Sequence, residues 1–117
     1  MRHFKKGRKL HRKIGPRKAL LKNLAASLIL KEKIQTTEAR AKETQVFLEK
    51  LITTAKKQNL PAFRKLKASL PQKAAEKLYY HLANQYNERK GGYTRIIKLG
   101  RYRIKDGASL VVIELVK

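Results

Sequence analysis

Apolar residues recur along this chain at helical spacing through most of its length and at strand spacing near its end. From Pro16 to about Leu30, Leu20, Leu24 and Leu28 fall at i, i+4 and i+8, with Leu21 and Ala25 beside them, which predicts a helix with one apolar face. Pro16 suits the first helical position, where its missing N–H costs nothing. Lys33 to Thr36 sets Ile34 among polar residues, long enough only for an edge strand paired to a hairpin elsewhere. From about residue 37 to 58, Leu48, Leu51, Ile52 and Ala55 repeat at helical spacing, and Phe47 and Ala41 widen the face. Thr36 or Thr37 offers the N-cap, and Glu38 puts a carboxylate in the first turn. Asn59-Leu60-Pro61 ends this helix, because the residue before a proline is pushed away from helical dihedrals. Ala62, Phe63, Leu66 and Leu70 predict a short third helix. Ser69-Leu70-Pro71-Gln72 has the spacing of a capping box, so a fourth should start near residue 70 and carry Ala75, Leu78, Tyr79, Leu82 and Tyr86 to about residue 86.

Gly91-Gly92 breaks the pattern. Tyr93 to Ile104 and Ser109 to Val116 are β-branched and aromatic runs around Lys105-Asp106-Gly107-Ala108, which predicts a hairpin turned at Asp106-Gly107. In the second run Val111, Ile113 and Leu115 share one face, and Leu110, Val112, Glu114 and Val116 the other, so it reads as an inner strand covered on both faces. Residues 2–15 show neither period and read as an extended arm. The fold class is therefore α+β: a basic extended N-terminal arm over residues 1–15, then a single domain over 16–117 with about four helices packed on a small mixed β-sheet that includes a C-terminal hairpin.

Charge changes the picture from fold to partner. Lys plus Arg number 30 against 8 Asp plus Glu, a net +22 in 117 residues, well beyond what solubility needs and pointing to a polyanion such as nucleic acid or an anionic membrane surface. At 42% hydrophobic, the chain is too apolar to be a wholly disordered basic tail. It has no cysteine, which excludes disulfides and thiolate chemistry, and no apolar run approaching the ~20 residues of a membrane-spanning helix. The acid-free N-terminus also has something of a transit or signal peptide, a reading that Gly7 and Gly15-Pro16 weaken.

Two cationic regions stand out. The arm packs Arg2, Lys5, Lys6, Arg8, Lys9, Arg12 and Lys13 among His3, Phe4, Gly7 and His11, with no carboxylate before Glu32. Cations bind phosphate, planar rings stack on unpaired bases, and glycine admits close backbone approach. Arg17, Lys18 and Lys22 continue this character onto the first helix. The second region lies between Glu88 and Asp106, where Gly91, Gly92, Tyr93, Thr94, Arg95, Lys98, Arg101 and Arg103 form a hairpin face of cations and rings expected to face no carboxylate, Arg95 and Thr94 being its foremost candidates. Solvation of a charged surface is the plainer account of either region, but it leaves so many uncompensated like charges unexplained. Catalysis has little to stand on: His3, His11 and His81 stand apart from paired acids, Gly91-Gly92 lacks phosphate-loop spacing, and no acid or histidine cluster has metal-ligand spacing. No cofactor, metal or small-molecule substrate is expected.

With these residues in view, MRHFKKGRKLHR, RKALLKNLAASLI, IQTTEARAKE, GGYTRIIKLG and the terminal IELV together resemble, in the same order, the bacterial-type large-subunit ribosomal protein family numbered seventeen. The resemblance spans nearly the whole chain and is least diagnostic from Gln58 to Asn87. It implies a one-domain α+β body with an N-terminal extension, bound without catalysis to large-subunit ribosomal RNA near the outer end of the nascent-peptide tunnel, in the cytoplasm, beside neighbouring ribosomal proteins. The family's RNA-contacting opening falls on Arg2, His3, Gly7, Arg8, Lys9, Leu10 and Arg12, and its glycine-pair motif on Gly91 to Arg95. Ile14-Gly15-Pro16 stands where the family more often has a serine-rich link, and Lys105 where it often has a glycine. The expected function is thus a structural ribosomal RNA-binding protein acting by phosphate neutralisation and arm insertion. A nucleoid-type architectural DNA-binding protein is the alternative.

Overall fold

The computed structural model describes Leu10 and residues 13–116. Its elements run α1 (Ile14–Lys31), β1 (Lys33–Thr37), α2 (Glu38–Ala55), α3 (Leu60–Ser69), α4 (Gln72–Lys77), which continues through a π-helical turn (Leu78–Leu82) into a short helical end (Ala83–Gln85), then β2 (Thr94–Tyr102) and β3 (Ser109–Leu115). The expected four helices and small sheet are all present. Both strand pairings are antiparallel, in the order β1-β3-β2, so the sheet is antiparallel throughout rather than mixed.

Helix α1 starts two residues before Pro16, and its first bond runs from the Arg17 N–H to the Lys13 carbonyl at 2.9 Å. The first four N–H groups of a helix have no intrahelical partner, so Pro16 is tolerated in the third position as it would be in the first. Residues 14 and 15, expected in the arm, are therefore helical. Burial gathers at the far end, on Ala25, Ala26, Leu28 and Ile29, while Leu20, Leu21 and Leu24 are half covered. Glu32 closes the helix in the left-handed region at φ 64°, its N–H donating to Leu28, and turns the chain directly into β1.

Helix α2 begins after Thr37, as the sequence suggests, although no side-chain cap bond forms. It buries Ala41, Thr44, Leu48, Leu51, Ile52 and Ala55, the expected stripe plus a threonine whose hydroxyl has no partner among the described residues. It ends at Ala55 rather than near 58, because Gln58 turns left-handed at φ 52° and Asn59 already belongs to the next helix. Asn59 caps α3, its Oδ1 accepting from the Ala62 N–H at 2.9 Å, with Pro61 in the first turn. Leu60-Pro61 thus opens a helix instead of only closing one. The capping box expected at Ser69 is absent. Ser69 is the last helical residue of α3, Leu70 is extended, and Pro71 precedes α4, so the serine does not have the extended backbone that an N-cap requires.

In the sheet, Ile34, Ile113 and Ile96 line up across the three strands beneath the helices, and Val111, Ile113 and Leu115 are buried. β3 is the inner strand, as expected. Its other face is less covered by the described residues: Leu110, Val112, Glu114 and Val116 are only half-buried, while Val111, Ile113 and Leu115 pack under α1 and α2. The hairpin loop spans residues 104–107, closed by the Arg103 N–H to Ala108 carbonyl bond at 2.9 Å and the Gly107 N–H to Arg103 carbonyl bond at 2.8 Å. A two-residue I′ or II′ turn at Asp106-Gly107 would need positive φ at Asp106, and only Gly107 has it, at 67°.

Candidate nucleic-acid interface

The hairpin is aimed by its entry. Gly92 takes φ 62°, and the Arg89 Nε donates to the carbonyls of Gly91 and Gly92 at 3.2 Å each, holding this glycine pair as a fixed turn into β2. Gly91 and Gly92 are exposed. Tyr93 and Thr94, expected among the contacting side chains, are instead 3% and 6% exposed. The Tyr93 ring packs on Tyr86 at 5.3 Å, its hydroxyl donates to the Arg89 carbonyl at 3.2 Å, and Lys56 Nζ donates to it at 3.0 Å while lying over the ring. Thr94 donates to Glu49 Oε1 at 3.3 Å, and its carbonyl accepts from Gln45. Both side chains fix the hairpin from the core side and offer no surface to a partner. Alternation puts Thr94, the first residue of β2, on the helix side, and Tyr93, which precedes the strand, is claimed by packing on Tyr86.

The cations of β2 are exposed, yet the expectation that they face no carboxylate does not hold. Antiparallel register sets Arg95 opposite Glu114, and they pair at 2.5 Å. Lys98 reaches 3.8 Å from Glu38 at the start of α2. Arg103 makes a two-point pair with Asp106 across the turn, one arm at 2.9 Å, and Ala108 N–H also donates to Asp106. The Arg103 guanidinium beside it, helped by that backbone bond, draws the Asp106 carboxyl down to about 2. Glu38 is likewise lowered, chiefly by its bond to Lys42 and then by Lys98. Arg101, Lys105 and Lys90 have no ion-pair partner among the described residues, and all three are exposed. The face therefore carries paired, oriented guanidinium groups and free cations together.

On α1, Lys13 and Lys18 are exposed and Arg17 and Lys22 half-exposed, none with an ion-pair partner among the described residues. Arg2, His3, Lys5, Lys6, Gly7, Arg8, Lys9, His11 and Arg12 lie outside the described residues. Leu10 is described, half-buried, and borders a groove of about 350 Å³ lined also by Thr37, Glu38, Arg40, Arg103, Ala108 and Ser109. Leu10 thus lies beside Arg103 and Ala108 at the loop end of the hairpin.

Sequence reasoning overlooked Lys56, Gln45, Glu49 and Glu114, which hold the hairpin. Only the last left a signal, since a two-residue period and a known turn would have set it opposite Arg95. Among the described residues no three His, Cys, Asp or Glu side chains gather as a metal-holding group, and no helix is long and apolar enough to cross a membrane.

Known proteins share this pattern. The family model described as ribosomal protein L17 matches residues 20–116. A large ribosomal subunit protein bL17 from Erythrobacter litoralis (strain HTCC2594) is 50% identical over 117 aligned residues, covering 99% of this chain and 83% of that protein. Its namesake from Staphylococcus epidermidis (strain ATCC 12228) is 48% identical over 120, covering 93% and 98%. The Staphylococcus haemolyticus protein of the same name is also 48% identical, covering 93% and 97%.

Proposed function

Because the chain belongs to the ribosomal protein L17 family, we propose that it is a structural constituent of the large ribosomal subunit, held there by ribosomal RNA through neutralised phosphates. The observation that carries the RNA reading is the exposed cationic hairpin of a chain with net charge +22, where Arg101 and Lys105 near the loop and Lys90 before the strand have no ion-pair partner among the described residues. Arg95 and Arg103, each already oriented by a carboxylate, present the rest of their guanidinium donors outward. Such forks suit phosphate oxygens. The arm, with Arg2, Lys5, Lys6, Arg8, Lys9, Arg12 and Lys13, enters between RNA segments, and Arg17, Lys18 and Lys22 extend its track along α1. Family resemblance further suggests a position near the nascent-peptide tunnel exit of the cytoplasmic ribosome, against neighbouring ribosomal proteins. The family is not an enzyme family, and the chain is given no catalytic role.

Phosphate neutralisation has a thermodynamic signature. Each contact releases condensed counterions, so log K for large-subunit RNA should fall against log salt by about 0.7 to 0.9 per phosphate. Titration of the full chain between low and moderate salt should give a steep slope, and removal of residues 1–13 should make it shallower. Affinity indifferent to salt, or unchanged by that truncation, would overturn the mechanism. Equal affinity for duplex DNA would point instead to an architectural DNA-binding protein.

A further inference from the structure

The middle of the chain gives nothing to the hairpin face, yet it holds a tight aromatic cluster. Phe63 of α3 meets Tyr79 and Tyr80 of the π-helical turn with ring centroids 4.7 and 5.7 Å away, and the two tyrosines stand edge to face at 5.0 Å and 89°. Consecutive side chains of an α-helix point about 100° apart. The wider π turn reduces that angle, which brings adjacent rings into contact, and such turns occur often at functional sites. Packing accounts for Tyr79, which lies against the core and whose carbonyl accepts from Gln58 at 2.8 Å. It does not account for Tyr80, which is 53% exposed although two rings hold it in place.

An open groove of about 500 Å³ runs past Tyr80, lined also by Lys73, Glu76, Lys77 and His81. Arg64, Lys65, Lys67, Lys73 and Lys77 belong to the same two helices, and Lys67 Nζ sits 5.2 Å over the Phe63 ring. Against these stands Glu76, which accepts from Gln72 at 3.1 Å. Lys77 is partly engaged elsewhere, donating to the Leu30 carbonyl at 3.3 Å, whereas Lys73 has no ion-pair partner among the described residues. A pre-oriented ring lining a groove bordered by cations matches the two parts of a nucleotide, a π-face and a phosphate.

We propose that this groove takes an unpaired nucleotide of the RNA, its base stacked on Tyr80 and its phosphate beside Lys73. The proposal rests on the RNA-binding reading above and adds to it a second contact on the α3–α4 side. Excess positive charge favours RNA over a protein neighbour, which would have to bring its own acids to the site.

The test uses the full chain and naked large-subunit ribosomal RNA. Tyr80→Ala should weaken binding about tenfold, within the range for loss of one stacked base. Tyr80→Leu, which keeps bulk against Phe63 but removes the π-face, should lose nearly as much, and Tyr80→Phe should bind like the parent. The salt slope should stay unchanged in all three, since stacking releases no counterion, while Lys73→Ala should lower it by about 0.7. If the parent binds and the folded Tyr80→Leu chain binds equally well, the proposal falls. Unchanged RNA affinity with weaker entry into subunits would also overturn it, in favour of a protein neighbour. Failure of the parent chain to bind RNA would instead refute the functional reading itself.

Discussion

Asp106 closes the hairpin from its exposed tip, accepting from Arg103 on both carboxylate oxygens and from the Ala108 N–H. Its carboxyl is held down to about 2, first by the Arg103 bond and then by the backbone bond. A depressed folded value means that the contribution is complete above the ordinary carboxylate pKa of about 3.9 and disappears as pH falls through about 2. Hairpin amide shifts of residues 103–108 should therefore be unchanged from pH 7 to 4 and move only near pH 2. Asp106→Asn should abolish that step and leave the loop equally disordered at every pH. A midpoint near 4 in the parent would show that the pair does not hold in solution. At this scale the sequence was readable for residue type but not for side. Tyr93, Thr94 and Arg95 are adjacent, yet two face the core and one faces solvent: alternation along β2 separates Thr94 from Arg95, while Tyr93 is buried ahead of the strand by the turn at Gly92.

Among elements, caps decided where sequence and structure diverged. Asn59-Leu60-Pro61 and Ser69-Leu70-Pro71 look alike, a polar residue two before a proline, and both could be read as a stop or a start. In the fold, Asn59 is extended and its side chain accepts from Ala62, whereas Ser69 is still helical and caps nothing. Losing a real cap costs about 1 kcal/mol. Asn59→Ala should therefore lower unfolding free energy by about that amount, and Ser69→Ala should change it by less than about 0.5 kcal/mol, as surface substitutions usually do. Urea melts of both variants decide it, and equal losses would contradict the assignment. The stripe of α2, the inner position of β3 and the edge role of β1 were legible because burial enforces period. The start of α1 and the true loop of the hairpin were not, because proline in a first turn and glycine in a loop each permit several local solutions.

For the whole molecule, one quantity acts on folding and on binding with opposite sign. A chain of +22 confined to 44 × 34 × 25 Å repels itself, and its 8 acidic residues, among them Glu38, Glu114, Asp106 and Glu32 in ion pairs, are far too few to offset 30 lysines and arginines. The Debye length shortens from about 30 Å at 0.01 M salt to about 8 Å at 0.15 M, so added salt screens repulsion across the body before it screens contacts within a pair. The free chain should melt at higher temperature as salt rises over that range, by about 4 °C for each kcal/mol of repulsion relieved. RNA affinity should fall over the same range, since phosphate contacts lose their counterion advantage. A polyanion such as heparin at low salt should reproduce the thermal gain that salt gives, because it supplies the missing negative charge without competing ions. Melting curves at stepped salt, with and without heparin, check both signs. A melting temperature that stayed flat or fell would mean that the ion pairs already balance the surface, and the reason for reading the charge as an incomplete half of an RNA contact would be lost.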